Sequence, residues 1–426
     1  MNRIRSALRI IVLCLVFSLA GCQLGAPKVE LIQSELPRVK LPNVTEAQVT
    51  QLASGNNAFA LDLYHVITAK GMDNLIFSPY SIWLAFSMVY AGAQGETDAQ
   101  MTQVLHFLPQ DNQHLLVNAV DQQLHALGNA RSEEEESLPF QLNVANSIWG
   151  QQGAAFKQPY LDVLAAQYGA GLRAVNFQES PDEAGQAINA WVSKETGGHI
   201  KEIVTPGSLS STTRLVLTNA IYFKAGWADP FDPADTTNAA FTLLDGSQVT
   251  IPQMHAQIRS KYMQGDGFQA VRLPYVGQTV EMWVILPDQG KFEEIQKQLS
   301  TGLLDEAQVQ AKAAEVTLTL PRFDIESDLS LIESLQSMGL MDAFCPQMDF
   351  NSMVEGGGLC IDNALHRATI TVDENGTEAS AATMVILEMS LVNETEMTVD
   401  RPFLFAILAR ETGLILFLGQ VLNPAQ

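Results

Sequence analysis

The chain has 426 residues, enough for one large domain or two ordinary ones. Hydrophobic residues make up 47 % and charged residues 17 %, which excludes disorder over most of the length. Asp and Glu outnumber Lys and Arg 47 to 24, a net charge of −23, so the basic stripe that nucleic acid or a heparin-like polyanion requires is missing. Four Cys without a C-x-x-C pair exclude a disulfide scaffold and a zinc or redox signature.

Residues 1–22 read MNRIRSALRIIVLCLVFSLAGC. Arg3, Arg5 and Arg9 precede a short apolar run from Ile10 to Phe17 and then small residues, the pattern of a secretory signal too short to span a membrane comfortably. Leu19-Ala20-Gly21-Cys22 is similar to a bacterial lipobox, in which cleavage removes residues 1–21 and leaves Cys22 as a diacylated N-terminus; ordinary secretion with cleavage near Ala20 is the alternative. Loss of residues 1–21 removes three Arg and no acid, for a mature charge of −26. Two acyl chains anchor stably where one does not. Gln23 points away from inner-membrane retention where a host has two membranes, so the expected compartment is the cell envelope, at the outer membrane in that case. Cys345 and Cys360 then remain. Two free thiols are the default expectation, and a bridge is the alternative an oxidising envelope permits.

Residues 22–48 carry Pro27, Pro37 and Pro42 with no sustained period and read as a tether. A single domain is expected over 49–426. Its first helical period runs through Val49, Leu52, Phe59, Leu63 and Val66. Further helices are expected near 80–92, 97–107, 111–127, 157–169, 181–197 and 328–339. Strand-like runs occupy 141–149, 214–223, 280–286, 315–320, 361–372, 402–409 and 414–421. Helices dominate the first half and strands the second, so the class is α+β with large antiparallel or mixed sheets. Glu133–Glu136 reads as a solvated loop and Gly356-Gly357-Gly358 as a turn. No repeat occurs at a period of 20–50 residues.

The seven His show no close ligand spacing, and no nucleophile elbow, phosphate loop or dinucleotide fingerprint is present, so neither a metal nor another cofactor is expected. No enzyme is indicated, although a hydrolase with a triad assembled from distant positions remains a competing class. One segment is odd. In 366–391, HRATITVDENGTEASAATMVILEMSL, the strand Ala368–Val372 and the turn Asp373–Gly376 lead into small residues that anchor nothing in a core. A loop of that length between strands is uncommon, and is usually functional or disordered; an Ala-rich helix over 378–383 is the plainer reading.

That segment resembles the hinge and reactive-centre loop of the serpins, a family of protease inhibitors. The resemblance spans about residues 50–425, in order. It includes Asn74–Ile82 with Ala91-Gly92-Ala93 and Gly95-Glu96-Thr97, and Asn189–Val192 with Thr196, Gly197 and Ile200. Leu217–Lys224 with Trp227, Pro230 and Phe231 continues it, and Arg401–Phe405 with Leu416–Pro424 closes it. The resemblance implies a serpin fold: a large central β-sheet, two smaller sheets, about eight or nine helices and an exposed loop over about 374–398. It implies a five-stranded metastable sheet that takes the cleaved loop as a new strand, acting as a suicide-substrate inhibitor and not an enzyme. The hinge is Glu374, Gly376, Thr377, Glu378, Ala379, Ser380, Ala381, Ala382 and Thr383. On the inserted strand Thr377, Ala379, Ala381 and Thr383 face the core, each small, which favours inhibition over a non-inhibitory binding role. Ser78, Ser81, Asn219 and His366 align with the family's shutter, Trp227 with its breach, and Glu374 is expected to pair with Arg322.

Fourteen residues beyond Gly376 put the reactive bond at Ser390–Leu391; counting back from Pro402 favours the bond after Leu391, and Met389 is a further alternative. Residues 375–400 contain no Lys or Arg, so a trypsin-like pocket should reject the loop. Elastase-, chymotrypsin- or subtilisin-like serine proteases with apolar or small pockets are the expected partners, with papain-like cysteine proteases a less favoured class. A monomer is expected.

Overall fold

The computed structural model describes residues 29–129, 141–345, 350–377 and 393–426. In chain order it runs β1 (Glu30–Ile32), α1 (Glu46–Thr68), β2 (Leu75–Phe77), α2 (Pro79–Tyr90), α3 (Gly95–Val104) and α4 (Gln110–Asn129). Next come β3 (Gln141–Gln151), α5 (Gln158–Val163), β4 (Leu172–Val175), α6 (Pro181–Glu195), β5 (Leu215–Gly226), β6 (Thr237–Thr242) and β7 (Gln248–Gln264). β8 (Phe268–Pro274), β9 (Val280–Pro287), α7 (Phe292–Gln298), α8 (Thr301–Gln310), β10 (Lys312–Pro321) and β11 (Phe323–Ser330) follow. The chain ends with α9 (Ile332–Ser337), β12 (Asn363–Asp373), β13 (Gly376–Thr377), β14 (Asn393–Thr398), β15 (Phe403–Ala409) and β16 (Leu414–Val421).

One sheet has the order β1-β4-β3-β5-β13-β12-β11. Behind it lies α2, whose N-terminus is fixed by Ser78 as N-cap and Pro79 in the first turn. Every residue of α2 is buried, as befits a helix apolar all round, and it packs against β3, β5 and β16. The other face of the sheet carries α6: Ala184, Ala187, Ile188 and Val192 meet Ala145, Trp149, Val216 and Ala220. Strand β5 is therefore apolar on both faces, Leu217, Ile221 and Phe223 joining the main core while Val216 and Ala220 join the smaller one.

The two smaller sheets expected are joined into one nine-stranded sheet, of order β14-β10-β7-β8-β9-β15-β16-β2 with β6 beside β7. The 17-residue β7 pairs with β6 at its start, β10 along its middle and β8 at its end, and so belongs to both. The first sheet holds the four long strands β3, β5, β12 and β11 with the four-residue β4, to which β1 and β13 are added. Three sequence readings are corrected. Residues 328–339 are not one helix: β11 continues to Ser330 because it pairs with β12 as far as Leu365, and only Ile332–Ser337 is helical. The tether is shorter than residues 22–48, since β1 pairs with β4 and Arg38 bonds Asn118 and Asp121 on α4. Cys345 and Cys360 are not free thiols but a disulfide, with Cα atoms 5.2 Å apart. Pairing of Phe344 with Ile361, and of Cys345 N–H with Ile361 O, sets the two cysteines side by side. Glu133–Glu136 lies outside the described residues.

Candidate functional site

The seam between β5 and β12 is closed at one end and parted at the other. Asn363–Thr369 pairs in parallel with Val216–Tyr222. Further along, β13 sits between the two strands: Gly376 and Thr377 pair with Gly226 and Ala225 on one side and with Asp373 and Val372 on the other. The turn into β13 is closed by the Asp373 carboxylate, which accepts from Asn375 N–H at 2.8 Å and Gly376 N–H at 3.3 Å. Gly376 has φ 146, and a Cβ there would stand 2.2 Å from Ala225 O, so only glycine fits.

Aromatic and ionic groups hold this turn. Trp227 Nε1–H donates to Asp373 O at 3.0 Å and its backbone N–H to Asn375 O at 2.9 Å. The Trp227 ring stacks on Tyr275 with centroids 4.6 Å apart, and Tyr275 Oη shares a 2.9 Å hydrogen bond with Thr377 Oγ1. Thr377 is fully buried. Glu374 is 3 % exposed, and its Oε1 accepts from Arg322 Nε at 2.7 Å, from Arg322 Nη2 and from Thr236 Oγ1. Burial would push this carboxyl up, but the hydrogen bonds from Arg322 and Thr236 outweigh it and hold the pKa below the ordinary range.

In the closed part of the seam, Asn146 of β3, Asn219 of β5 and His366 of β12 stand in one row. His366 Nε2 accepts Ser78 N–H at 3.1 Å, so the ring proton is on Nδ1, which donates to Asn219 Oδ1. Asn219 Nδ2 donates to Ser81 Oγ and Asn146 Oδ1. Asn146 Nδ2 returns a bond to Ser81 O at 2.9 Å, and Ser81 N–H donates to Ser78 Oγ at 3.2 Å. Three strands are thus stitched to the start of α2. Burial pulls the His366 pKa down to about 3, keeping it neutral.

The structure therefore brings Ser78, Ser81, Asn219 and His366 into one cluster, and Trp227, Arg322, Glu374, Gly376 and Thr377 into another. Glu378, Ala379, Ser380, Ala381, Ala382, Thr383, Met389, Ser390, Leu391 and Cys22 lie outside the described residues. Sequence reasoning missed Asn146, Tyr275, Thr236 and Arg367. The last lies on β12 opposite Ala220, donates from Nη1 to Glu202 O at 2.6 Å, and pairs with Glu326 and Asp328. Among the described residues, one group of three ligand atoms lies close enough for a metal, Cys345, Cys360 and Asp362, and both its sulfurs are spent in the disulfide.

A family profile described as serpin (serine protease inhibitor) matches residues 54–424. An uncharacterized serpin-like protein of Thermococcus kodakarensis is 38 % identical, covering 92 % of this chain and 90 % of its own. The leukocyte elastase inhibitor of Bos taurus is 34 % identical, covering 88 % of this chain and all of its own. The native-state crystal structure of tengpin, a thermophilic serpin, superposes with a TM-score of 0.80 at 27 % identity, covering 93 % of this chain and all of that one. A profile match over most of the domain, with a seam of this geometry, makes the chain a member of the serpin family, whose members are typically serine protease inhibitors.

Proposed function

We propose that this protein is a suicide-substrate inhibitor of serine endopeptidases, carried on a bacterial envelope membrane by acylated Cys22. The attacking serine forms an ester with the Ser390 carbonyl and the Leu391 amine leaves. Residues 376–390 then enter between β5 and β12, and the tethered protease is dragged along before water cleaves the ester. Fifteen inserted residues reach roughly 50 Å, enough to cross the domain.

The observation that carries this reading is β13. Gly376 and Thr377 already occupy the first two positions of the strand that insertion would build, in antiparallel register with β5. The Trp227–Tyr275 stack and the Arg322–Glu374 pair act as the breach that starts insertion; the Ser78, Ser81, Asn219, His366 cluster acts as the shutter it must pass. Small residues at Ala379, Ala381 and Thr383 let the strand pass without burying charge, which would cost several kcal/mol. The absence of cations over 375–400 directs the loop to elastase-, chymotrypsin- or subtilisin-like enzymes.

Mixing the protein with pancreatic elastase and with chymotrypsin, then resolving the products on a denaturing gel, tests the proposal. A covalent band at the summed mass is expected. Clean nicking near residue 390 with no such band would mean a non-inhibitory serpin. Peptide turnover by the protein alone would favour a hydrolase.

A further inference from the structure

Nine large hydrophobic side chains are exposed among the described residues, and five of them fall within residues 29–41: Val29, Leu31, Leu36, Val39 and Leu41. The others, Met72, Leu244, Val309 and Met341, are scattered, as isolated surface apolar groups usually are. The 29–41 strap is held onto the domain mainly by polar groups. Val39 N–H donates to Ala166 O at 2.8 Å, and Arg38 donates to Asn118 and Asp121. Gln122 grips both sides of Lys40, donating to Val39 O at 2.9 Å and accepting from Leu41 N–H at 3.2 Å. Ile32, Ser34 and Arg38 turn toward the domain, and five apolar side chains stand exposed along the strap beside Glu30, Gln33, Glu35 and Lys40. Leu41 is the extreme case, 80 % exposed with φ 44, a left-handed conformation that costs a branched residue on the order of 1 kcal/mol.

We propose that this strap is a membrane-docking surface whose occupant is the bilayer that holds the Cys22 acyl chains. The inference rests on the lipid anchor proposed above. Val29 lies seven residues after Cys22, so at about 3.3 Å per residue the strap is within roughly 25 Å of the acylated end. Charge agrees. Residues 29–41 carry Arg38 and Lys40 against Glu30 and Glu35 and are neutral, while the whole chain stands at −23 and is repelled by an anionic leaflet elsewhere. No helix among the described residues is long and apolar enough to cross a membrane, so the contact is superficial. In the sheet, β4, β3 and β5 separate β1 from β13. At about 4.8 Å per strand, docking through the strap holds the hinge roughly 19 Å along the sheet from the contact and turns the domain one way relative to the lipid.

The test uses acylated protein purified from membranes and reconstituted in phosphatidylethanolamine–phosphatidylglycerol vesicles, with and without brominated acyl chains. L41W and L36W place an indole in the strap; V309W places one in α8 as a control. Both strap variants should show blue-shifted added emission, quenched about twofold or more by bromolipid, with V309W unaffected. Two independent strap positions guard against one failing to fold. Flotation with the vesicles but no quenching of either overturns the docking and leaves the anchor standing. No flotation removes the anchor and the docking with it. A blue shift that depends on protein concentration without lipid identifies a second copy as occupant and also overturns the proposal.

Discussion

In the proposed mechanism, Thr377 is the residue on which trapping turns. It is buried between two strands with its hydroxyl on Tyr275, a site with room for a small side chain and none for a hydrated charge. T377R should expel β13 and slow insertion until deacylation wins. The covalent complex is then lost on gels while loop cleavage persists; a variant that still traps would break the link between hinge size and inhibition. Two ionisable groups of the seam contribute to the acid response, alongside His114, whose pKa burial lowers to about 4. His366 is neutral in the fold, with its pKa at about 3 against 6.5 in the unfolded chain. The unfolded state binds more protons between those values, so stability falls as pH drops through that window, by up to about 1.4 kcal/mol per unit. Glu374 has a lowered pKa, so its contribution is present above the ordinary glutamate range and is lost only as the solution turns more acid still. Urea midpoints measured from pH 7.5 to 4.5 should decline, and H366Q should flatten the upper part of the slope. An unchanged slope in H366Q would exclude His366 as its source. At this scale the Arg322–Glu374 pair was legible through the family resemblance, whereas the small residues over 378–383 lie outside the described residues. Asn146, Tyr275 and Thr236 are ordinary residues made special only by the strand register that delivers them, and no local pattern announces that.

Between elements, the proposed insertion makes Arg367 a latch. It stands on β12 within the closed part of the seam, yet its Nη1 donates to Glu202 O on the segment joining α6 to β5. Splitting β5 from β12 must break that bond. Arg367 is partly exposed, so the bond is worth about 1 kcal/mol. R367A should therefore speed loop insertion roughly fivefold after protease mixing, read by stopped-flow Trp emission, with a small loss of native stability. Insertion at the wild-type rate would show that the latch is already open when the rate-limiting step occurs. The elements themselves were unevenly legible. β5, β9, β15 and β16 are apolar on both faces and stand out as continuous runs. β7 does not: it carries Pro252, alternates exposed and buried residues, and reads as polar chain. β1 was read as tether because three residues show no period and its neighbours bind through Ser34 and Arg38.

Across the whole molecule, the sheet is a structure interrupted. β5 and β12 are paired at one end and part at the other, where Gly376 and Thr377 of β13 are laid between them. The Asp362 carboxylate, which accepts from Arg214 N–H at 2.7 Å and Leu215 N–H at 3.0 Å, ties the far end of β12 to β5. In the proposed mechanism, opening is thereby directed to the end that holds the hinge. Completing the sheet in that mechanism buries a further strand's worth of backbone hydrogen bonds and apolar surface. The most direct measurement is the melting temperature of the intact protein against that of protein nicked between Glu388 and Leu391. A rise on the order of 20 °C or more is expected after nicking; superimposable melting curves would rule out strand insertion.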